Sequence, residues 1–134
     1  MMHTIPINTR QREEMIDITA PIAALIRKEQ WEAGILFIHT PHTTAAVTIN
    51  ENADPSVTAD MIGFMRRQIP QDPHFRHSEG NSDSHIKSSL FGCQLWLLVE
   101  SGKPVLGTWQ GVYFCEWDGP RQRQVHVKFL KEMS

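Results

Sequence analysis

After Gly92 the chain carries no helical pattern, and this constrains the fold more than any other stretch. Three strand-type runs remain, at 94–100, 106–117 and 122–130. Ser101-Gly102-Lys103-Pro104 reads as a hairpin loop between the first two, and Asp118-Gly119-Pro120 as a turn between the last two. Helical patterns are confined to the middle of the sequence. Runs of strands on either side of a helical middle point to an antiparallel α+β fold rather than alternating βαβ units. The expected architecture is an antiparallel β-sandwich-like domain with two or three flanking helices.

The upstream elements agree. Segments 2–8 and 14–18 read as short strands around the polar turn Thr9-Arg10-Gln11. Thr19 is placed to cap a helix with Pro21 in its first turn and Ile22, Leu25 and Ile26 on one face, running to about Glu32 and stopping at Gly34. An apolar run at 35–38 is interrupted at Pro41 and resumes at 45–49. Asp54-Pro55 starts a second helix, an N-cap acid before a proline preset for the first turn, with Val57, Met61, Phe64 and Met65 at helical spacing down to about Gln68. A loop spans 70–77, and a shorter helix starts at Ser82 or Asp83 and ends at Gly92.

With 134 residues, 40% of them hydrophobic and 21% charged, the chain fits one domain over 1–134 with a real core. The net charge of -2, from 13 basic and 15 acidic side chains, offers no electrostatic footprint for nucleic acid or an acidic membrane. The segment 1–12 holds no apolar run of a secretory leader, and no stretch approaches a membrane span, so a cytoplasmic protein is expected. Cys93 and Cys115 sit among apolar neighbours and are expected to be buried free thiols, with a disulfide as the alternative that the sequence does not demand.

Where the polar residues fall is more telling. In the last strand Val125, Val127 and Phe129 share one face, and counting back by twos puts Arg123 and Arg121 on that side. Arginines at the mouth of a core face need an anion or an acid to meet them. Either a ligand does so or Glu116 and Asp118 across the turn. His42, if the strand runs on through Pro41, lies on the side of Leu36 and Ile38, with Thr43 and Thr44 following. Asn50, Asn52 and Asp54 form a second polar cluster near a helix N-terminus, where Asp54 reads first as a cap. Between His77 and His85 stand two imidazoles, two carboxylates, an amide and three hydroxyls with no apolar side chain. That composition suits an anion or a metal, against the plain alternative of a solvated loop.

His42, His77 and His85 together would give three metal ligands with an open position, although no His-Glu-x-x-His pattern is present. His3, His39, His74 and His126 read as incidental. No phosphate loop, dinucleotide fingerprint or nucleophile elbow occurs.

These clusters resemble the signature segments of one family. They are His42-Thr43-Thr44-Ala45, Ile49-Asn50-Glu51-Asn52-Ala53-Asp54-Pro55, His77-x-Glu79-Gly80-Asn81, His85-Ile86-Lys87, Gly107-Thr108-Trp109-Gln110 and Glu116-x-Asp118-Gly119-Pro120-Arg121-x-Arg123. In order and spacing the chain resembles the YjbQ-like family, also called secondary thiamine-phosphate synthases, from about Ile16 to Phe129. The resemblance implies a β-rich sandwich assembled as a homotrimer, with polar residues gathered in a cleft near subunit boundaries. It also implies a weak condensation of hydroxymethylpyrimidine diphosphate with thiazole phosphate, releasing pyrophosphate.

On that reading Arg121, Arg123 and Lys87 supply positive charge to phosphate. His42, His77 and His85 donate to it or hold a divalent zinc or magnesium ion. Thr43, Asn50, Asn52 and Asn81 orient substrate, and Glu116 and Asp118 hold a metal or position a basic residue. The rival expectations are a metal-dependent hydrolase built on the three histidines, and a non-enzymatic trimer that binds a phosphorylated metabolite. No membrane or nucleic-acid partner is expected.

Overall fold

A computed structural model describes residues 1–133. The elements in chain order are β1 (Met2–Asn8), β2 (Glu14–Asp17), α1 (Thr19–Glu29), β3 (Gly34–His39), β4 (Ala45–Glu51), α2 (Pro55–Gln68), α3 (Ser82–Phe91), β5 (Gln94–Glu100), β6 (Lys103–Pro104), β7 (Gln110–Glu116) and β8 (Gln122–Lys131). They form two antiparallel sheets, one ordered β1-β8-β3-β5-β6 and one ordered β2-β7-β4. The expected α+β class holds, with three helices.

Alternation assigns each face. Leu36, Ile38, Leu97, Val99, Val125 and Val127 of the larger sheet meet Ala45, Val47, Val112 and Phe114 of the smaller one, with Ile22 and Ile26 of α1 against the same core. Burying each such aliphatic side chain contributes roughly 1.5–3 kcal/mol. The opposite face of the smaller sheet carries a second cluster, Ala46, Tyr113, Cys115 and Trp117, covered by Ile62 and Met65 of α2 and Phe91. β7 is therefore buried on both faces, whereas the outer face of the larger sheet stays open.

Several sequence expectations change. The runs at 35–38 and 45–49 are not one interrupted strand: β3 lies in the larger sheet and β4 in the smaller, and Pro41–Thr44 carries the chain between them. Likewise the Asp118-Gly119-Pro120 turn links different sheets instead of closing a hairpin, and only Lys103–Pro104 pairs back onto β5. Residues 106–109 lie outside β7. Short links look the same in sequence whether they fold a strand back or hand it to the facing layer. α1 ends at Glu29, because Gln30 turns left-handed at φ 56°. Thr19 does not cap it; its Oγ1 donates to Asp17 Oδ1 at 2.6 Å and accepts from Val112 N–H at 2.8 Å. Asp54 does cap α2, accepting from Ser56 N–H at 2.9 Å. Cys115 is buried as expected, but Cys93, just before β5, is exposed.

Helix α3 reverses the usual polarity. Its buried residues are Asp83, Ser84, Lys87 and Ser88, while Ile86 and Leu90 face outward. Ser84 Oγ donates to Trp117 O at 2.5 Å and Ser88 Oγ to Ala45 O at 2.6 Å, which pins the helix to the ends of β7 and β4. Lys87 is only 1% exposed and donates to Glu13 Oε2 at 2.7 Å and Asp83 Oδ2 at 3.0 Å. Arg12 forks onto the same Asp83 with two 3.1 Å bonds. Burial alone would raise the Asp83 pKa, but hydrogen bonds from Arg12 and Lys87, with their charges, outweigh it and hold it below the usual value. Lys87 is thus a structural cation and not, as expected, a phosphate ligand. Lys87→Ala should lower stability by about 3–5 kcal/mol, because two buried carboxylates lose their shared partner. Ile86→Ala, on the exposed side, should change it by less than about 1 kcal/mol; urea midpoints of the two variants check the contrast.

Candidate functional site

Four chain segments meet where the two sheets part. The Pro41–Thr44 link brings His42, Thr43 and Thr44; the loop before α3 brings His77, Glu79 and Asn81; the first turn of α3 brings His85; the β7–β8 turn brings Asp118, Arg121 and Arg123. Together they line a cleft of about 460 Å³. Three histidines from three separate segments therefore line one cavity with two arginines.

The floor is a buried ion pair. Glu116 continues the inward face of Val112 and Phe114, and Arg123 continues that of Val125 and Val127, so the two meet at the edge of the core. Arg123 donates from Nε at 2.9 Å and from Nη2 at 2.5 Å to the Glu116 carboxylate, and from Nη2 to Thr44 Oγ1 at 2.8 Å. Glu116 also accepts from Thr9 Oγ1 at 2.7 Å and from Asp118 N–H at 3.0 Å. The acid expected across the turn from Arg123 is indeed its partner. Glu116 is fully buried and acts by positioning the arginine, not as the catalytic group expected. Arg121 is not on the inner face: it precedes β8, its side chain is half exposed, and it binds the Asp118 carboxylate at 3.0 Å.

His42 is fixed by a broken ladder. Pairing of β3 with β8 stops at His39–His126, and in that register Pro41 would stand opposite Gln124. The strand has already turned away, so side chains finish the ladder. Thr40 Oγ1 donates to Gln124 O at 3.3 Å, and His42 Nε2 accepts from Gln124 N–H at 3.0 Å. Acceptance at Nε2 puts the proton of the neutral ring on Nδ1. Burial, and then the Arg123 charge, hold the His42 pKa below its usual value. His42 therefore enters the cleft as a neutral Nδ1–H donor.

That geometry bears on a metal. With Nε2 accepting a backbone N–H and Nδ1 protonated, the neutral ring has no lone pair left for an ion. Among the described residues no group of three or more histidine, cysteine or acidic side chains is arranged to hold a metal. The expected set His42, His77 and His85 does not fit one as placed. His77 and His85 stack edge to face, with centroids 5.4 Å apart, and His77 Nε2 lies 4.0 Å from Glu79 Oε2.

Asn81 is the site's unmet group. It stands at the start of α3 but makes no capping bond with its side chain. Its Nδ2 donates to Asp118 Oδ2 at 2.6 Å, and its buried Oδ1 has no partner among the described residues. A buried acceptor left open calls for a donor from water or a ligand.

Two expected residues fall elsewhere. Asn50 Nδ2 contacts Met61 Sδ at 3.6 Å, and Asn52 Nδ2 donates to Asp17 Oδ2 at 3.1 Å. Asn50 lies at the far end of β4 and Asn52 just past it, about 20 Å or more from the cleft at the strand's rise per residue. Thr44, Glu79 and Pro41 line the site without having been singled out for it. Thr44 and Glu79 stood beside chosen residues in the same polar segments, which was the available signal.

A family model described as UPF0047 protein YjbQ-like matches residues 3–132. The UPF0047 protein MJ1081 of Methanocaldococcus jannaschii is 52% identical over 130 residues, covering 97% of this chain and 94% of that protein. YugU of Bacillus subtilis is 46% identical, covering 97% of this chain and 99% of that one. A crystal structure of an uncharacterized YjbQ/UPF0047 protein from Clostridium acetobutylicum superposes with a TM-score of 0.92 at 42% identity, over 96% of this chain and 99% of the other. A protein of unknown function from Sulfolobus solfataricus does so at 0.92 with 28% identity, over 98% and 97%.

The His42 ring generates a pH prediction. A histidine whose folded pKa is lowered contributes stability that is complete above its unfolded value, near 6.5, and is lost as pH falls through the folded value. Protonation would put a hydrogen on Nε2 against the Gln124 N–H. Moving from pH 7 to pH 5 should therefore destabilise the protein more than a His42→Gln variant, whose amide oxygen keeps an acceptor. Urea unfolding at both pH values measures the difference.

Proposed function

The chain belongs to the UPF0047 YjbQ-like family, and from that membership and the cleft we propose that the protein binds a phosphorylated small molecule and acts on it. The observation that carries the reading is the convergence of Arg121, Arg123, His42, His77 and His85 on one cavity. The carboxylates of Glu79, Asp118 and Glu116 outnumber the two guanidiniums nearby, and burial with the Arg123 charge holds the His42 pKa low. Bare positive charge is thus not the main attraction. Directed donors are: the His42 Nδ1–H, the guanidinium N–H groups left over from Asp118 and Glu116, and the other imidazoles. Fixed donors aimed at an oxyanion act without reorganising as charge develops.

Formation of thiamine phosphate, which the resemblance implies, is the candidate reaction. In it a carbon–oxygen bond to diphosphate breaks as the carbon bonds to the thiazole partner, and the departing diphosphate carries the developing charge. Arg121 and His42 are suited to receive that charge. Asn81 Oδ1 and Asp118, both acceptors, would hold a donor group of the substrate. A trimer that binds the phosphorylated metabolite without turnover is the competing outcome.

The homotrimer is part of the same proposal. Its support is the open face of the larger sheet, where Trp96 and Leu98 are each 56% exposed and Leu130 is 49% exposed. No helix among the described residues is long and apolar enough to cross a membrane, and a cytoplasmic setting is proposed.

Arg121→Ala should weaken binding of inorganic pyrophosphate by about tenfold or more by calorimetry, with the urea midpoint nearly unchanged, since its one ion pair is solvent-exposed. Unaltered affinity would remove Arg121 from the site. A Trp96→Glu and Leu98→Glu double variant should sediment as a monomer if that face carries the subunit contact.

A further inference from the structure

The cleft does not end at His42 and His85. Beyond them opens a second cavity of about 700 Å³, which shares Pro41, His42, Thr43 and His85 with the first. Through these shared residues the two are adjoining lobes of one groove. Their linings differ in kind. The first holds both arginines, Asp118, Glu79 and Asn81. The second adds His39, Ser89 and Cys93 and contains no carboxylate, lysine or arginine.

The second lobe is also held in place. Thr40 N–H donates to Cys93 O at 2.8 Å, and Ser88 Oγ donates to Ala45 O at 2.6 Å, so strand β5, helix α3 and the Pro41–Thr44 link keep their spacing without a ligand. A phosphate group alone leaves this space empty, whereas pockets of roughly 300–1,000 Å³ are the size that small organic ligands occupy.

We infer that the second lobe is the subsite for the uncharged organic portion of the phosphorylated ligand, a deduction that rests on phosphate occupying the first lobe. The ligand class is a phosphate or diphosphate ester of a small neutral alcohol. The His39 ring offers a flat surface, the Pro41 ring an apolar one, and the Thr43 and Ser89 hydroxyls offer polar contacts. A second anionic charge on the organic part would enter a lobe that holds no lysine or arginine to meet it and would be disfavoured.

Cys93 supplies a native reporter. It is exposed and lines the second lobe, whereas Cys115 is fully buried and burial pushes its thiol pKa up. Alkylation of the folded protein by iodoacetamide, followed by mass spectrometry, should therefore proceed at Cys93. Saturating phenyl phosphate should slow it by about tenfold or more, with a midpoint at its calorimetric Kd, while saturating inorganic phosphate should change it by less than about twofold. Ser89→Trp, which fills the lobe from an exposed position, should weaken phenyl phosphate by about tenfold and inorganic phosphate by less than about twofold. If phenyl phosphate binds yet Cys93 reacts at an unchanged rate, the second lobe is not the subsite and the phosphate site stands. Equal loss of both ligands in Ser89→Trp also overturns the subsite. If neither ligand binds the unaltered protein, the phosphate reading fails and the subsite with it.

Discussion

The buried pair of Glu116 and Arg123 is the constraint on which the geometry of this molecule depends. It joins β7 of one sheet to β8 of the other at the point where their apolar faces end. Removing two charges from water is expensive, and an apolar pair of similar volume would often give equal or greater stability. What the pair supplies is position. The Glu116 oxygens also take Thr9 Oγ1 and the Asp118 N–H, and the Arg123 guanidinium also takes Thr44. The turn after β1, the β3–β4 link and the β7–β8 turn are thereby referred to one point. Of the cleft walls, the β3–β4 link and the β7–β8 turn are anchored to it directly, whereas α3 is held through Ser84 and Ser88, which leaves the loop before it. That loop is anchored through Asn81 and Asp118.

A second device sets the chemistry rather than the shape. Ending the β3–β8 ladder early leaves the peptide of Gln124 to be satisfied by side chains, and His42 is the acceptor that does it. The same bond that completes the sheet selects the ring tautomer. A residue that seemed free to ligate a metal is thus committed by the backbone to donate from Nδ1. Site chemistry here is a by-product of closing a hydrogen-bond account at a strand end.

How much of this was legible in the sequence depends on which rule each segment obeys. β8 followed simple alternation, so the inward side of Arg123 could be counted from Val125 and Val127. Asp54-Pro55 behaved as a helix start because capping is a local property. Helix α3 was legible as a helix but not in its orientation. Its buried face is Asp83, Ser84, Lys87 and Ser88, and a reading that equates apolar with inward turns it around. The motif resemblance gives Lys87 to phosphate, whereas the fold commits it to Glu13 and Asp83. Asn50 and Asn52 failed for another reason. They follow His42 closely in sequence, but the extended strand between carries Asn50 to its opposite end, onto Met61, and Asn52 just past that end, onto Asp17. The handover at Pro41 from one sheet to the other was invisible because it depends on pairing partners far along the chain.

The strand order carries one more consequence. The larger sheet ends in β1 on one side and in the two-residue β6 on the other, and each of these strands contains a proline, Pro6 and Pro104. A proline has no N–H to offer an incoming strand, and a two-residue margin is too brief to template one. Continued growth of the sheet by edge-to-edge accretion, the route toward fibrils, is therefore blunted along β1 and, at the other margin, where Lys103–Pro104 covers Val99 and Glu100.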